Sequence, residues 1–152
     1  MNLVSSDLKA VLKFLQDTTD IKGYTTRRRQ ESDPPFFYLK SPVGKPTKDS
    51  SGFFKYRPLI HGTLFLDKEK QPESVAMLFE TNIQKALLLC CFDIPLVDDK
   101  YIPCGGRLED VQFEMKQVDV DVWTFTVKGE RFLSLDEEVQ PLRKVHNSIN
   151  VR

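Results

Sequence analysis

The chain repeatedly alternates apolar and polar residues with a period of two, which restricts it to a fold rich in β-strands. The clearest instance is the pair of segments Asp110–Lys116 and Val120–Lys128. In the first segment Val111, Phe113 and Met115 share one face, as in a strand with one side against a core. Two such segments, so close along the chain, predict an antiparallel hairpin.

Further strands are predicted by the same reasoning. The alternation in residues 59–66 and again in 74–80, around the polar run Asp67–Glu73, predicts a second hairpin. The apolar run within Ile83–Leu96 is too short to separate a buried strand from a buried helix by period, and its length and flanking turns favour a central strand. Shorter strands are predicted at residues 24–29, 36–40 and 53–56.

Helices are predicted near both ends of the chain. In residues 6–17, Leu8, Val11, Leu12 and Leu15 recur at three- and four-residue spacing, which indicates an amphipathic helix. Ser134 with Glu137 forms a capping-box pattern that predicts a short helix over residues 135–145. The last residues, 147–152, are expected to form a frayed tail.

These elements predict one α+β domain over residues 1–152. We expect a mostly antiparallel sheet of about six strands, barrel-like or strongly curled, with an N-terminal amphipathic helix and a short C-terminal helix. Prolines, glycines and serines crowd residues 41–52, and they predict a long flexible loop there.

Charge is distributed unevenly, although the chain as a whole is neutral. The segment Lys22–Arg57 holds nine basic and three acidic residues, a net charge of +6. Because the chain has 22 basic and 22 acidic residues, everything outside the segment has a net charge of −6. Seven of the sixteen aromatic residues also lie in this segment, and cations mixed with aromatic rings are typical of surfaces that bind phosphates and stack bases.

The sequence therefore favours a non-enzymatic nucleic-acid-binding module, with single-stranded DNA or RNA as the partner. The stacking candidates are Tyr38, Phe54 and Tyr56. The candidates for phosphate contacts are Arg27, Arg28, Arg29, Lys45, Lys48, Lys55 and Arg57.

Two other interpretations of the segment remain open. Arginines and aromatic residues also anchor protein interfaces, so the segment would equally suit a regulatory subunit that binds an acidic partner protein or associates with itself. Alternatively, the aromatics are core on one strand face and edge cover on the other, and the cations guard strand edges against aggregation.

Catalytic and metal-binding patterns are not recognisable, and no cofactor is expected. The cysteines Cys90, Cys91 and Cys104 lack the spacing of a zinc site, and buried free thiols are the better account of them. A metal-dependent hydrolase would need carboxylates such as Asp98 and Asp99 to converge with others. We therefore expect neither catalytic nor metal-ligating residues.

The N-terminus has no basic stretch followed by an apolar run, which argues against an ordinary secretory signal. The longest apolar run, within residues 86–92, is far shorter than a membrane span. Together with three cysteines, an odd number, these features predict a cytoplasmic protein with reduced thiols and no membrane partner.

Overall fold

The structure is a computed structural model that describes residues 3–25, 33–50 and 52–134. Its helices are α1 (Leu3–Thr19) and α2 (Pro72–Leu89). Its strands are β1 (Lys22–Tyr24), β2 (Phe36–Leu39), β3 (Thr47–Ser50), β4 (Phe53–Tyr56), β5 (Leu59–Phe65), β6 (Ile94–Val97), β7 (Pro103–Gln117) and β8 (Val122–Ser134). The predicted α+β class with a curled sheet is confirmed. The predicted helix at 135–145 and the predicted tail at 147–152 lie outside the described residues.

The sheet is organised around β8, because this long strand pairs with β5, β7 and β4 in turn. The strand order is β1-β2-β5-β8-β4-β3, with β7 on β8 and β6 on β7. All of these pairs are antiparallel except β1–β2, which is parallel. β5 and β4 follow each other along one edge of β8, with Leu59 opposite Lys128 and Tyr56 opposite Arg131. The predicted β7–β8 hairpin is confirmed.

Both helices pack against the same face of the sheet, which we call the inner face. Four phenylalanines meet there: Phe37 from β2, Phe79 from α2, Phe113 from β7 and Phe125 from β8. Their ring centroids lie 5.3 to 6.2 Å apart. Gly62 leaves room for this cluster, since a Cβ at that position would stand 2.2 Å from the ring of Phe125. Fully burying each ring contributes about 1.5–3 kcal/mol, so this cluster forms the centre of the core.

Helix α1 confirms the predicted N-terminal helix, and a polar contact links it to β8, the last described strand. Val11 and Leu15 are buried on its inner side, as their spacing predicts. Asp7 is also fully buried, and its Oδ1 accepts a hydrogen bond from Arg131 Nη1 at 3.1 Å. Arg131 itself is only 4% exposed. This buried ion pair fixes α1 to β8.

Helix α2 contradicts two predicted strands, at residues 74–80 and within Ile83–Leu96. Pro72 lies in the first turn of the helix, where backbone N–H groups have no partner within the helix, so its missing N–H costs no hydrogen bond. The carboxylate of Glu73 interacts favourably with the positive end of the helix dipole. The buried positions Ala76, Phe79, Ile83 and Leu87 are spaced by three or four residues, which is the helical period. Only the last three residues of Ile83–Leu96 are extended, within β6 (Ile94–Val97).

The predicted loop at 41–52 is also partly wrong. Residues 47–50 form β3, which pairs with β4 and places Thr47 opposite Lys55. Gly52 turns the chain between these strands with a φ of 81°, a conformation that favours glycine. Val43 is tied to Leu59 by backbone hydrogen bonds in both directions, at 2.8 and 2.9 Å. Local prolines and glycines therefore do not exclude pairing here, because each strand is short and the sheet supplies its partner.

Candidate interaction surfaces

Those predicted nucleic-acid-binding residues that the structure describes do not form one surface. Arg27, Arg28 and Arg29 lie outside the described residues. Tyr38 lies on β2, which pairs with β1 and β5. Lys45 is exposed in the connection that follows β2, and Lys48 is exposed on β3. The remaining candidates, Phe54, Lys55, Tyr56 and Arg57, belong to β4 and the residue after it.

Tyr56 is buried beside the ion pair of α1 and β8, so the prediction that it stacks bases is wrong. It is 3% exposed. Burial raises the pKa of its hydroxyl above the ordinary value of 10.0, the charge of Asp7 raises it further, and the charge of Arg131 opposes both. The alternation of β4 makes Tyr56 a core residue.

The neighbours of Tyr56 have their own partners. The ammonium nitrogen of Lys55 lies 5.2 Å from the ring centroid of Phe132 on β8, a cation–π contact. Arg57 Nε donates a hydrogen bond to Glu130 Oε1 at 2.9 Å, in an ion pair whose arginine is largely exposed. Phe54 is half-buried. Of this group, Lys55 and Arg57 already have an aromatic or acidic partner within the chain.

A broader surface lies on the side of the sheet opposite the helices, and we call it the open face. Within the described part of the chain, neither helix packs on it. The register of β1, β2, β5, β8 and β7 brings their outward side chains side by side. These side chains include Lys22, Tyr24, Phe36, Tyr38, His61, Thr63, Phe65, Glu114, Lys116, Thr124, Thr126 and Lys128.

Four aromatic rings of the open face, from Tyr24, Phe36, Tyr38 and Phe65, form a half-buried cluster at its β1 edge. The rings of Phe36 and Phe65 are stacked with centroids 5.1 Å apart. Tyr38 lies 5.8 Å from Phe65 and an equal distance from Tyr24. Because the rings pack on one another, much of their area is already removed from solvent.

Beside this cluster the curl of the sheet forms a shallow groove of about 430 Å³. Its lining combines the apolar Met115 and Phe125 with polar residues, of which two are lysines and one is a glutamate: Lys40, His61, Thr63, Glu114, Lys116, Thr124 and Thr126. Two lysines of the groove, Lys40 and Lys116, accompany one carboxylate, Glu114, whereas Lys128 lies farther along β8 beside Asp110 and Glu130. The groove was not identified from the sequence, because its residues come from strands far apart along the chain.

A second surface that the sequence did not indicate is the outward side of α2. The large apolar residues on it are strongly exposed: Met77 by 66%, Leu78 by 60%, Leu88 by 65% and Leu89 by 87%. Thr81 and Lys85 lie between them and are also exposed. We call these six residues the α2 stripe. A soluble domain rarely exposes so many large apolar side chains on one helix unless they contact something.

The candidate metal ligands have structural roles. Asp98 Oδ1 accepts hydrogen bonds from the backbone N–H groups of Lys100 and Ile102, at 2.8 and 3.0 Å. Asp99 forms an ion pair with Lys9 at 3.1 Å. Among residues 3–25, 33–50 and 52–134, no three histidine, cysteine, aspartate or glutamate side chains converge on a common point. These contacts explain the aspartates as turn and surface residues.

The cysteines differ from their prediction as buried thiols. Cys91 and Cys104 are exposed, whereas Cys90 is half-buried at the end of α2. Neither helix in the described residues is long and apolar enough to cross a membrane.

Comparison with known proteins identifies a solved structure with a similar fold, but it does not assign the chain to a family. No family model matches the chain, and no curated protein is similar to it in sequence. Among solved structures, the fold is similar to that of a chain in the virion of a native gene transfer agent (GTA) particle, with a TM-score of 0.53 and 14% identity. The similarity covers 88% of this chain and 99% of that chain, and at this identity it shows a shared fold alone.

Proposed function

We propose that this chain is a non-enzymatic structural subunit of a virion-like particle, which assembles through protein contacts that include contacts with further copies of itself. The observation that carries the proposal is the set of large apolar side chains left exposed outside the core. Surfaces of this kind are typical of proteins that are completed by association.

Most of the exposed large apolar residues fall into groups. Besides the α2 stripe, Val118 and Val120 are exposed by 62% and 53% at the β7–β8 turn. Tyr101 and Ile102 are exposed by 40% and 55% before β7. A single exposed leucine needs no explanation, but groups at three separate places would give a subunit several contacts in an assembly.

The fold comparison supports the same proposal. The similar chain belongs to a virion, and the likeness extends over nearly the whole of that chain. A fold by itself does not determine function, so the particle context enters here only as part of our proposal.

Sedimentation velocity tests the self-association that the proposal requires. We expect the weight-average sedimentation coefficient to rise between about 1 µM and about 1 mM chain, the range of weak to moderate protein association. A single monomeric species over this range would contradict the proposal.

The open face supports a second candidate function, binding of single-stranded nucleic acid. Lys40 and Lys116 outnumber Glu114 in the groove, Lys22 lies on the neighbouring β1, and the Tyr38 ring lies among half-buried aromatics beside the groove. An extended polyanion would fit this arrangement better than a compact ligand, because the cations lie along several adjacent strands.

Fluorescence anisotropy with labelled single-stranded DNA and RNA tests this second function. The double variant Lys40→Glu/Lys116→Glu should bind at least ~10-fold more weakly than the wild type at about 50 mM salt. A matched control, Lys68→Glu/Lys100→Glu, makes the same charge change at exposed lysines in the β5–α2 connection and before β7. Equal losses in both variants, or binding that does not weaken at about 200 mM salt, would exclude a specific site on the open face.

A further inference from the structure

The α2 stripe is a continuous feature of one side of the helix. At 3.6 residues per turn its six residues fall within an arc of about 120°. The buried residues of α2, such as Phe79 and Ile83, fall on the opposite side. The helix therefore presents one apolar side to the core and a second apolar side, interrupted only by Thr81 and Lys85, to the outside.

The order of residues along the stripe is close to symmetric. Two large apolar residues, Met77 and Leu78, precede the polar centre, and two more, Leu88 and Leu89, follow it. The midpoint between Thr81 and Lys85 is also close to the midpoint between the two apolar pairs. A surface with this symmetry is complementary to an identical surface turned end to end.

We infer that the α2 stripe binds the α2 stripe of a second copy of this chain, with the two helices antiparallel about a two-fold axis. In this arrangement Met77 of one copy lies against Leu88 of the other, and Leu78 lies against Leu89. Thr81 lies beside the second copy's Lys85 near the axis. The contact is isologous, so it closes as a pair.

The chemistry of the stripe favours this occupant over an extended peptide or a polyanion. Four large apolar side chains in two rows suit the ridges of another helix. The lone cation, Lys85, is near the centre, where it meets a neutral hydroxyl instead of a second lysine. This inference rests on the proposed function and specifies one contact of the assembly.

The double variant Leu88→Ser/Leu89→Ser tests the contact. Both side chains are exposed, so the variant should keep the circular dichroism spectrum and urea midpoint of the wild type. We expect sedimentation velocity to show self-association weakened roughly 100-fold, because each leucine would otherwise be buried in the contact. The control Val43→Ser/Phe53→Ser removes two exposed apolar side chains that belong to none of the three groups, and it should leave self-association unchanged.

A charge pair at Thr81 tests the antiparallel register. Thr81→Glu places a carboxylate beside the second copy's Lys85 and should tighten the association several-fold at low salt. Thr81→Lys places two ammonium groups together and should weaken it by a similar factor. Each substitution also changes the i,i+4 pairing with Lys85 of its own helix, so urea unfolding of both variants is measured alongside association to separate the two effects.

The outcomes separate this inference from the proposed function. A wild-type chain that stays monomeric at every concentration contradicts both. A wild-type chain that associates, while Leu88→Ser/Leu89→Ser associates equally well, contradicts only the α2 contact. Association that responds identically to Thr81→Glu and Thr81→Lys contradicts the antiparallel register and overturns the inference as stated.

Discussion

The two faces of the sheet contain similar aromatic clusters in different surroundings. On β2, Phe37 belongs to the inner face and is fully buried, whereas its neighbours Phe36 and Tyr38 belong to the open face and are half-buried. Ring centroids in both clusters lie roughly 5 to 6 Å apart. The difference is that the helices cover one cluster and, within the described residues, leave the other uncovered.

This comparison shows that aromatic content does not identify a binding surface. Adjacent residues of one strand differ in role because the pleat alternates them between faces. The inner rings stabilise the fold through complete burial, and the open-face rings retain area that a partner can cover. The comparison also predicts how strongly substitutions on each face change stability.

The largest expected effect is the contrast between Phe37→Ala and Phe36→Ala. Phe37→Ala should lower the free energy of unfolding by about 3–5 kcal/mol, because it leaves a cavity under both helices. Phe36→Ala, the matched control on the same strand, should cost about 1 kcal/mol, since its ring is only half-buried. Urea unfolding of both variants measures the difference, and equal losses would show that the open face is covered in solution.

A second, somewhat smaller loss of stability is expected when the buried ion pair of Asp7 and Arg131 is broken. Arg131→Met should cost about 3 kcal/mol, because it leaves the carboxylate of Asp7 buried without its cationic partner. The double variant Asp7→Leu/Arg131→Met removes both charges and should recover most of this loss. Thermal and urea unfolding compare them, and a double variant no more stable than Arg131→Met would contradict the assignment of the loss to an uncompensated charge.

The smallest effect is expected at high pH, from Tyr56. Because the pKa of Tyr56 is raised in the folded state, its contribution to stability is complete below the unfolded pKa near 10 and is lost as pH rises through the folded pKa. The wild type should therefore lose more stability than Tyr56→Phe between about pH 8 and about pH 11. Equal changes in unfolding free energy for the two proteins would place the tyrosine in a water-like environment.

Much of the sheet and the first helix could be predicted from the sequence because their patterns are unambiguous. In β5, Ile60 and Leu64 are buried, and the alternating His61 is exposed, as the period of two requires. In α1, Val11 and Leu15 are buried at helical spacing. An element with one apolar side and one polar side can be predicted, because its apolar residues recur along the sequence with the period of a strand or a helix.

Helix α2 was missed because it has two apolar sides. The exposed Met77 and Leu78 are adjacent in sequence to the buried Ala76 and Phe79. The resulting run of apolar residues is continuous, so it does not show the helical period. Leu88 and Leu89 have the same effect beside Leu87. The exposed residues that conceal the helix in the sequence are those that we propose to form its contact with a second copy. Pro72 followed by Glu73 was the signal that could have identified the helix start.

The open face could not be predicted from a charge count along a segment. Lys40 and Lys116 line one groove, although they are far apart in sequence, whereas Tyr38 and Tyr56 come from the same segment and lie in different environments. Spatial neighbours of this kind depend on strand order, which the alternation of single strands does not specify.

The ion pair between Asp7 and Arg131 joins residues separated by 124 positions, and this separation has a consequence for synthesis on the ribosome. The apolar side of α1 emerges first, but β8, which carries Arg131, emerges only after all the other described strands. Until then Val11 and Leu15 lack the complete sheet that buries them. Productive folding must therefore wait until nearly all of the described chain has been translated, and ribosome-bound chains that end before β8 should be the ones that recruit chaperones.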